Sequence, residues 1–184
     1  MPRILPRAAV LATLVFPLPL FAPVAPFALW PSPANAQLAG TLSGPKFVEA
    51  AGLSGLFEME ASTLALKKSQ NPQVRAFAER MIHDHEIIMK DLKAATESAD
   101  GQITIPGTLD AKHETTIERL NAATGADFDT LYVQVQTREH DAAVGIFAAF
   151  EKDGDQTTLK AFAAKTLPML KQHLDAIKQL QIKT

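Results

Sequence analysis

The stretch "NPQVRAFAERMIHDHEIIMKDL", Asn71 to Leu92, spaces its apolar residues as a helix does, with no strand-like alternation. Projected at about 100° per residue, Val74, Phe77, Ala78, Met81, Ile88 and Leu92 form one stripe, and His85 sits in its middle. His83 falls roughly 200° away, among Glu79, Glu86 and Lys90, where i,i+3 and i,i+4 pairing in water suits it. Asp84 could orient a neighbour, but its face is ambiguous. Asn71-Pro72 supplies a cap and a first-turn proline, so the spacing predicts a helix from Pro72 to about Ala99, stopped at Gly101.

Outward from this segment the helical period continues. A preceding helix runs from about Pro45 to Lys68, opened by Ser43, and the short turn after it makes the two helices antiparallel neighbours. After "DGQITIPGT" (Asp100 to Thr108) comes a shorter helix, about Leu109 to Ala123, closed by Gly125. A third long helix spans about Asp127 to Lys152, and "DGD" (Asp153 to Asp155) provides a stop and a cap before the last, about Gln156 to Ile182. A connection of about twenty-five residues between two hairpins is long for a compact domain. It suits an all-α four-helix bundle whose second and third long helices are joined by an end-to-end crossover carrying a short helix. The bundle occupies residues 45–184, preceded by a short segment, 37–44. "VRAFAERM" (Val74 to Met81) is echoed by "LKAFAAKT" (Leu159 to Thr166), each opening the second helix of a hairpin, as a duplicated hairpin would.

The first thirty-six residues read as a cleaved secretory signal. Arg3 and Arg7 precede an uncharged apolar run ending in Ala34-Asn35-Ala36. Pro17, Pro19, Pro23 and Pro26 oppose a continuous membrane-spanning helix there. The expected setting is the periplasm or the cell exterior, with no transmembrane span in the mature protein. There is no cysteine, which excludes disulfides, thiolate metal sites and a lipobox cysteine. Without Arg3 and Arg7, sixteen of the eighteen basic residues face all twenty acidic ones, and this weakly acidic balance disfavours nucleic acid.

Each long helix offers a polar residue beside its apolar stripe. The first buries Phe47, Ala50, Phe57, Ala61 and Leu64, flanked by Glu58 and Glu60. The third buries Tyr132, Gln136, Ala143, Phe147 and Phe150, with Glu139 and His140 on its two sides. The last buries Leu159, Phe162, Ala163, Thr166, Leu170, Leu174 and Ile177, with His173 on one flank and Pro168 interrupting it. Counted at about 1.5 Å per residue, the acids, His85 and His140 reach one middle level of the bundle, and His173 lies about one turn away.

The stretches "FVEAAGLSGLFEMEASTLALKKSQNPQVRAFAERMIHDH", "GADFDTLYVQVQTREH" and "LKAFAAKTLPMLKQHLDAIKQL" resemble the bacterial exported family called domain of unknown function 4142. The resemblance implies a ferritin-like bundle, sometimes labelled a predicted outer-membrane protein, with no established activity. It carries over Glu60, Asp84, His85, Asp129, His140, Pro168 and His173 as matching positions. The ferritin-like di-metal pattern places Glu-x-x-His on two helices. Here Ile82 and Leu170 stand three residues before His85 and His173, which argues against a di-iron carboxylate centre.

No Ser-His-acid ordering, Gly-framed nucleophile or phosphate-binding loop appears, so an enzyme is not the expectation. The leading expectation is a non-enzymatic envelope or stress-related module, acting through a protein partner or the outer membrane. In it the inward histidines form a buried polar network, and an apolar patch would show at Gln102 to Leu109. The alternative is a transition-metal site for zinc, copper or iron, with His85, His140, His173 and Glu60 as ligands and Glu58 as the substitute for Glu60.

Overall fold

Residues 42–180 are described by a computed structural model. The export signal read at residues 1–36 lies outside them, as do 37–41 and 181–184. Five helices follow one another: α1 (Gly44–Lys68), α2 (Pro72–Glu97), α3 (Ala111–Ala122), α4 (Gly125–Asp153) and α5 (Thr157–Lys178). Local chemistry sets their starts. Asn71 accepts a hydrogen bond from the Gln73 backbone N–H, and Asp110 accepts one from that of His113, satisfying donors that a helix N-terminus leaves open. Pro45 and Pro72 occupy first-turn positions where no donor is needed.

Around the bundle, α1 packs against α2 and α4, and α5 against the same two. The Gly44 N–H donates to Asp155 Oδ1 (2.8 Å), and the Thr158 hydroxyl reaches the Ser98 carbonyl (3.4 Å). One end therefore gathers the start of α1, the end of α2 and the α4–α5 turn. At the other end Lys68 donates to the Asn121 carbonyl (2.6 Å). The chain between α2 and α4 thus runs from one end to the other, as expected, with α3 lying on α1 and touching α4. No strand occurs among the described residues, and none of their helices is long and apolar enough to cross a membrane.

The core divides into two apolar blocks. Phe47, Phe147, Phe150 and Phe162 anchor the first, with Phe47 and Phe150 stacked at 4.0 Å. Phe57, Phe77, Met81, Phe128, Tyr132 and Ile177 anchor the second. On α2 the second block ends at Met81 and the first resumes at Ile88; on α4 the break falls between Val135 and Ala143; on α5, between Leu170 and Leu174. His85, His140 and His173 occupy those three breaks, so they share one level.

Two expectations need correcting. Ile103 and Ile105 turn onto the first apolar block, so Gln102 to Leu109 presents no apolar patch. Among the described residues Ile87 is the exposed large hydrophobic. On α1 the inward seam runs Gly44, Val48, Ala51, Gly55, Glu58, Ser62, Ala65, which buries Glu58 and leaves Glu60 exposed. Pro168 is accommodated inside an unbroken α5.

Candidate metal centre

Three histidines from three helices meet in the break between the blocks. His85 is 2% exposed, His140 1% and His173 0%. Their ring centroids stand 5.4 to 5.9 Å apart, and one ring nitrogen of each lies within 4.8 Å of the others. His83 is exposed, as its position on the wheel required.

The hydrogen bonds around the rings are unequal. His140 Nδ1 lies 3.0 Å from the Gln136 carbonyl oxygen, an acceptor only, so the Nδ1–H donates and Nε2 keeps its lone pair. His140 Nε2 has no partner. His173 Nε2 lies 2.8 Å from Asp84 Oδ2, and its Nδ1 has no partner. Neither nitrogen of His85 has one. Burial pushes the His85 imidazole well below its ordinary pKa, helped by His140 and His173. Burial, then His173, lowers His140 to about 4. His173 is also lowered by burial, with Asp84 opposing. All three rings are therefore neutral at physiological pH, the form in which imidazole binds a metal.

Of the two acids considered as a fourth ligand, Glu60 is directed to solvent and Glu58 is buried at 1% exposure. Glu58 Oε1 stands 3.6 Å from His140 Nδ1, too far for a hydrogen bond, and neither carboxyl oxygen has a partner. Burial raises its pKa well above the carboxylate range, and the charge on Glu139 adds to this while the Gln136 amide opposes it. Nearby, Ser62 and Tyr132 share a hydrogen bond of 2.9 Å. Asp129 lies elsewhere, lining a surface groove with Asn71 and Gln73 beside the α1–α2 turn.

Sequence reasoning passed over a second polar cluster. His113 of α3 is bound through Nδ1 to Asp110 (2.6 Å), and its Nε2 faces Glu139 Oε2 at 3.9 Å. Arg138 donates to the other Glu139 oxygen at 2.9 Å. Burial would raise Glu139, but His113, Lys112 and Arg138 hold it down at about 2. Consecutive residues of α4 thus serve different ends: Glu139 secures the crossover, and His140 enters the bundle. The signal available in the sequence was the capping pair Asp110 and His113.

Among solved structures, CopM in the Cu(II)-bound form is similar, with a TM-score of 0.64 over 76% of this chain and 96% of that chain. At 16% identity the likeness is one of fold. No curated protein matches the sequence. The profile of one family covers residues 30–180, and the chain belongs to that family, the domain of unknown function 4142.

Proposed function

We propose that this exported bundle binds a transition metal ion between His85, His140 and His173. The observation that carries the reading is the set of four buried imidazole nitrogens without hydrogen-bond partners among the described residues: both of His85, Nε2 of His140 and Nδ1 of His173. A buried polar group left unsatisfied costs about 1–3 kcal/mol, and an ion held by one nitrogen of each ring removes that cost for three of the four. A purely structural network would have bonded His85 as well as His140 and His173, but neither His85 nitrogen has a hydrogen-bond partner among the described residues.

Three imidazoles suit zinc, copper or iron. Divalent copper stands highest in the affinity order for nitrogen and oxygen ligands, and the similarly folded CopM is known with Cu(II) bound, so copper is the first ion to test. Metal–nitrogen bonds of about 2.0–2.1 Å in a tetrahedral set need nitrogens ~3.3 Å apart, so the rings draw together on binding. Glu58 approaches His140 at Nδ1, 3.6 Å away, and not at the nitrogen left without a partner, so three imidazoles are the ligand set. The closed setting fits an ion better than an organic substrate, and the reading is one of holding metal, not of turnover. The export signal supports a periplasmic or secreted location. The contact-module reading draws less support, because its expected apolar patch faces the core.

The test is metal content by mass spectrometry after purification without chelator, for the wild type and a His85→Ala variant of equal helicity. The expected result is close to one equivalent of metal, lost in the variant. No metal in either protein, including after equilibration with copper, zinc and iron salts, would overturn the proposal.

A further inference from the structure

The three rings are not held alike, and the difference assigns a role to a residue outside the ligand set. Asp84 is next to His85 in sequence, but about 100° round α2, at the seam with α5. Its Oδ2 lies 2.8 Å from His173 Nε2, and the same oxygen accepts from Arg80 Nε at 3.2 Å. Arg80 also reaches the Gln172 side-chain oxygen at 3.3 Å. Two neighbouring residues of α5, Gln172 and His173, are thus laced to one turn of α2, Arg80 and Asp84.

We infer that Asp84 is a positioning residue for the metal site: by accepting the Nε2–H of His173 it fixes one tautomer and aims the Nδ1 lone pair at the ion. This rests on the metal-binding reading above. The chemistry follows from imidazole itself. A neutral ring carries one proton, and the nitrogen that keeps it cannot ligate. An anionic carboxylate at Nε2 holds the proton there and makes Nδ1 a better donor. The unpartnered atom of His173 is that Nδ1. His140 reaches the corresponding result through a backbone carbonyl, which no substitution removes, leaving Asp84 as the mutable orienting group for the three rings among the described residues. His85 has no orienting partner, so α2 supplies an unconstrained ligand and, one residue earlier, the anchor of a constrained one.

The experiment has two readouts on the full chain. Long-range proton–nitrogen correlation spectra of the metal-free protein report the His173 tautomer. Competition against a chromophoric chelator reports Cu(II) and Zn(II) affinity. The wild type should show His173 in the Nε2–H form alone. Asp84→Ala should mix the tautomers and weaken both ions by about 10- to 100-fold, the usual effect of losing such a partner. Asp84→Asn, whose amide oxygen still accepts the Nε2–H, should restore the tautomer and part of the affinity. An Nδ1–H tautomer in the wild type, or an Asp84→Ala protein with tautomer and affinity unchanged, would overturn the assignment. If Asp84→Ala does not fold, the wild-type and Asp84→Asn spectra decide the point. A wild type that binds neither ion defeats the metal-binding reading, while the tautomer spectra still decide separately whether Asp84 orients His173.

Discussion

His85 and His173 face each other with ring centroids 5.6 Å apart; a carboxylate holds the far nitrogen of His173, and neither His85 nitrogen has a hydrogen-bond partner among the described residues.

The first prediction follows. His85→Leu should make the metal-free protein more stable by about 1–3 kcal/mol, because it removes a buried polar group that no hydrogen bond repays. The same change should abolish stabilisation by added Cu(II) or Zn(II), which in the wild type grows with free metal concentration. Urea unfolding with and without metal reads both effects. Loss of stability in the metal-free variant would mean that His85 has a structural bond in solution.

The acids of α1 should separate as cleanly. Glu60→Gln, at an exposed site, should alter stability by less than about 0.5 kcal/mol and leave metal affinity unchanged. Glu58 is raised by burial, so the folded protein keeps a proton that the unfolded chain releases above its pKa of about 4.3. Its sign is fixed by linkage: stability is full below that value and declines as pH rises through the folded pKa. Infrared spectra recorded just above the pH at which exposed carboxyls lose their protons should show a protonated carboxyl band that disappears in Glu58→Gln and persists in Glu60→Gln.

That pair also marks where the sequence was legible. Helix boundaries and the crossover followed from caps, prolines and apolar period, and His85 was placed inward because Met81, Ile88 and Leu92 are large enough to define its face. On α1 the seam that holds Glu58 is Val48 and otherwise small residues, Gly44, Ala51, Gly55, Ser62 and Ala65, which carry little hydrophobic weight. A wheel drawn on Phe47, Ala50, Phe57, Ala61 and Leu64 is rotated toward the half-buried Ala50 and Leu64, and Glu58 and Glu60 look equivalent on it. Which ring nitrogens lack partners depends on packing across three helices, and residue types alone do not report it.

A different pH dependence is expected at the crossover. Burial opposes charge on His113, but Glu139 and Asp110 outweigh it and raise the pKa above the ordinary value of about 6.5. The folded state then binds the proton more tightly than the unfolded one. The resulting stability is full below that value and is lost as pH rises through the folded pKa. His113→Gln should therefore cost more stability near pH 5.5 than near pH 9, while leaving metal affinity alone. His85, His140 and His173 have the opposite sign, since their pKa values are lowered. Stability from them falls as acid is added below about 6.5, reaching its floor for His140 near 4. Unfolding of wild type and variant across this range separates the two contributions.

Two helical glycines should respond to the same substitution with opposite signs. Gly145 of α4 is exposed, and a Cβ there would meet nothing within 4 Å. Gly145→Ala should therefore stabilise by up to about 1 kcal/mol through helix propensity. Gly52 of α1 lies under the crossover, where a Cβ would stand 2.8 Å from Pro106 Cδ and 3.0 Å from Ile105 Cγ2. The proline ring cannot swing aside as a flexible side chain would, so the crossover itself must lift. Overpacking of this kind costs about 1–3 kcal/mol, more than the propensity gain, and Gly52→Ala should be destabilising. Faster amide hydrogen exchange confined to residues 102–109 would show that the loss comes from the crossover lifting away from α1. Unchanged exchange there, or equal gains at both glycines, would show that the crossover does not press on α1 in solution.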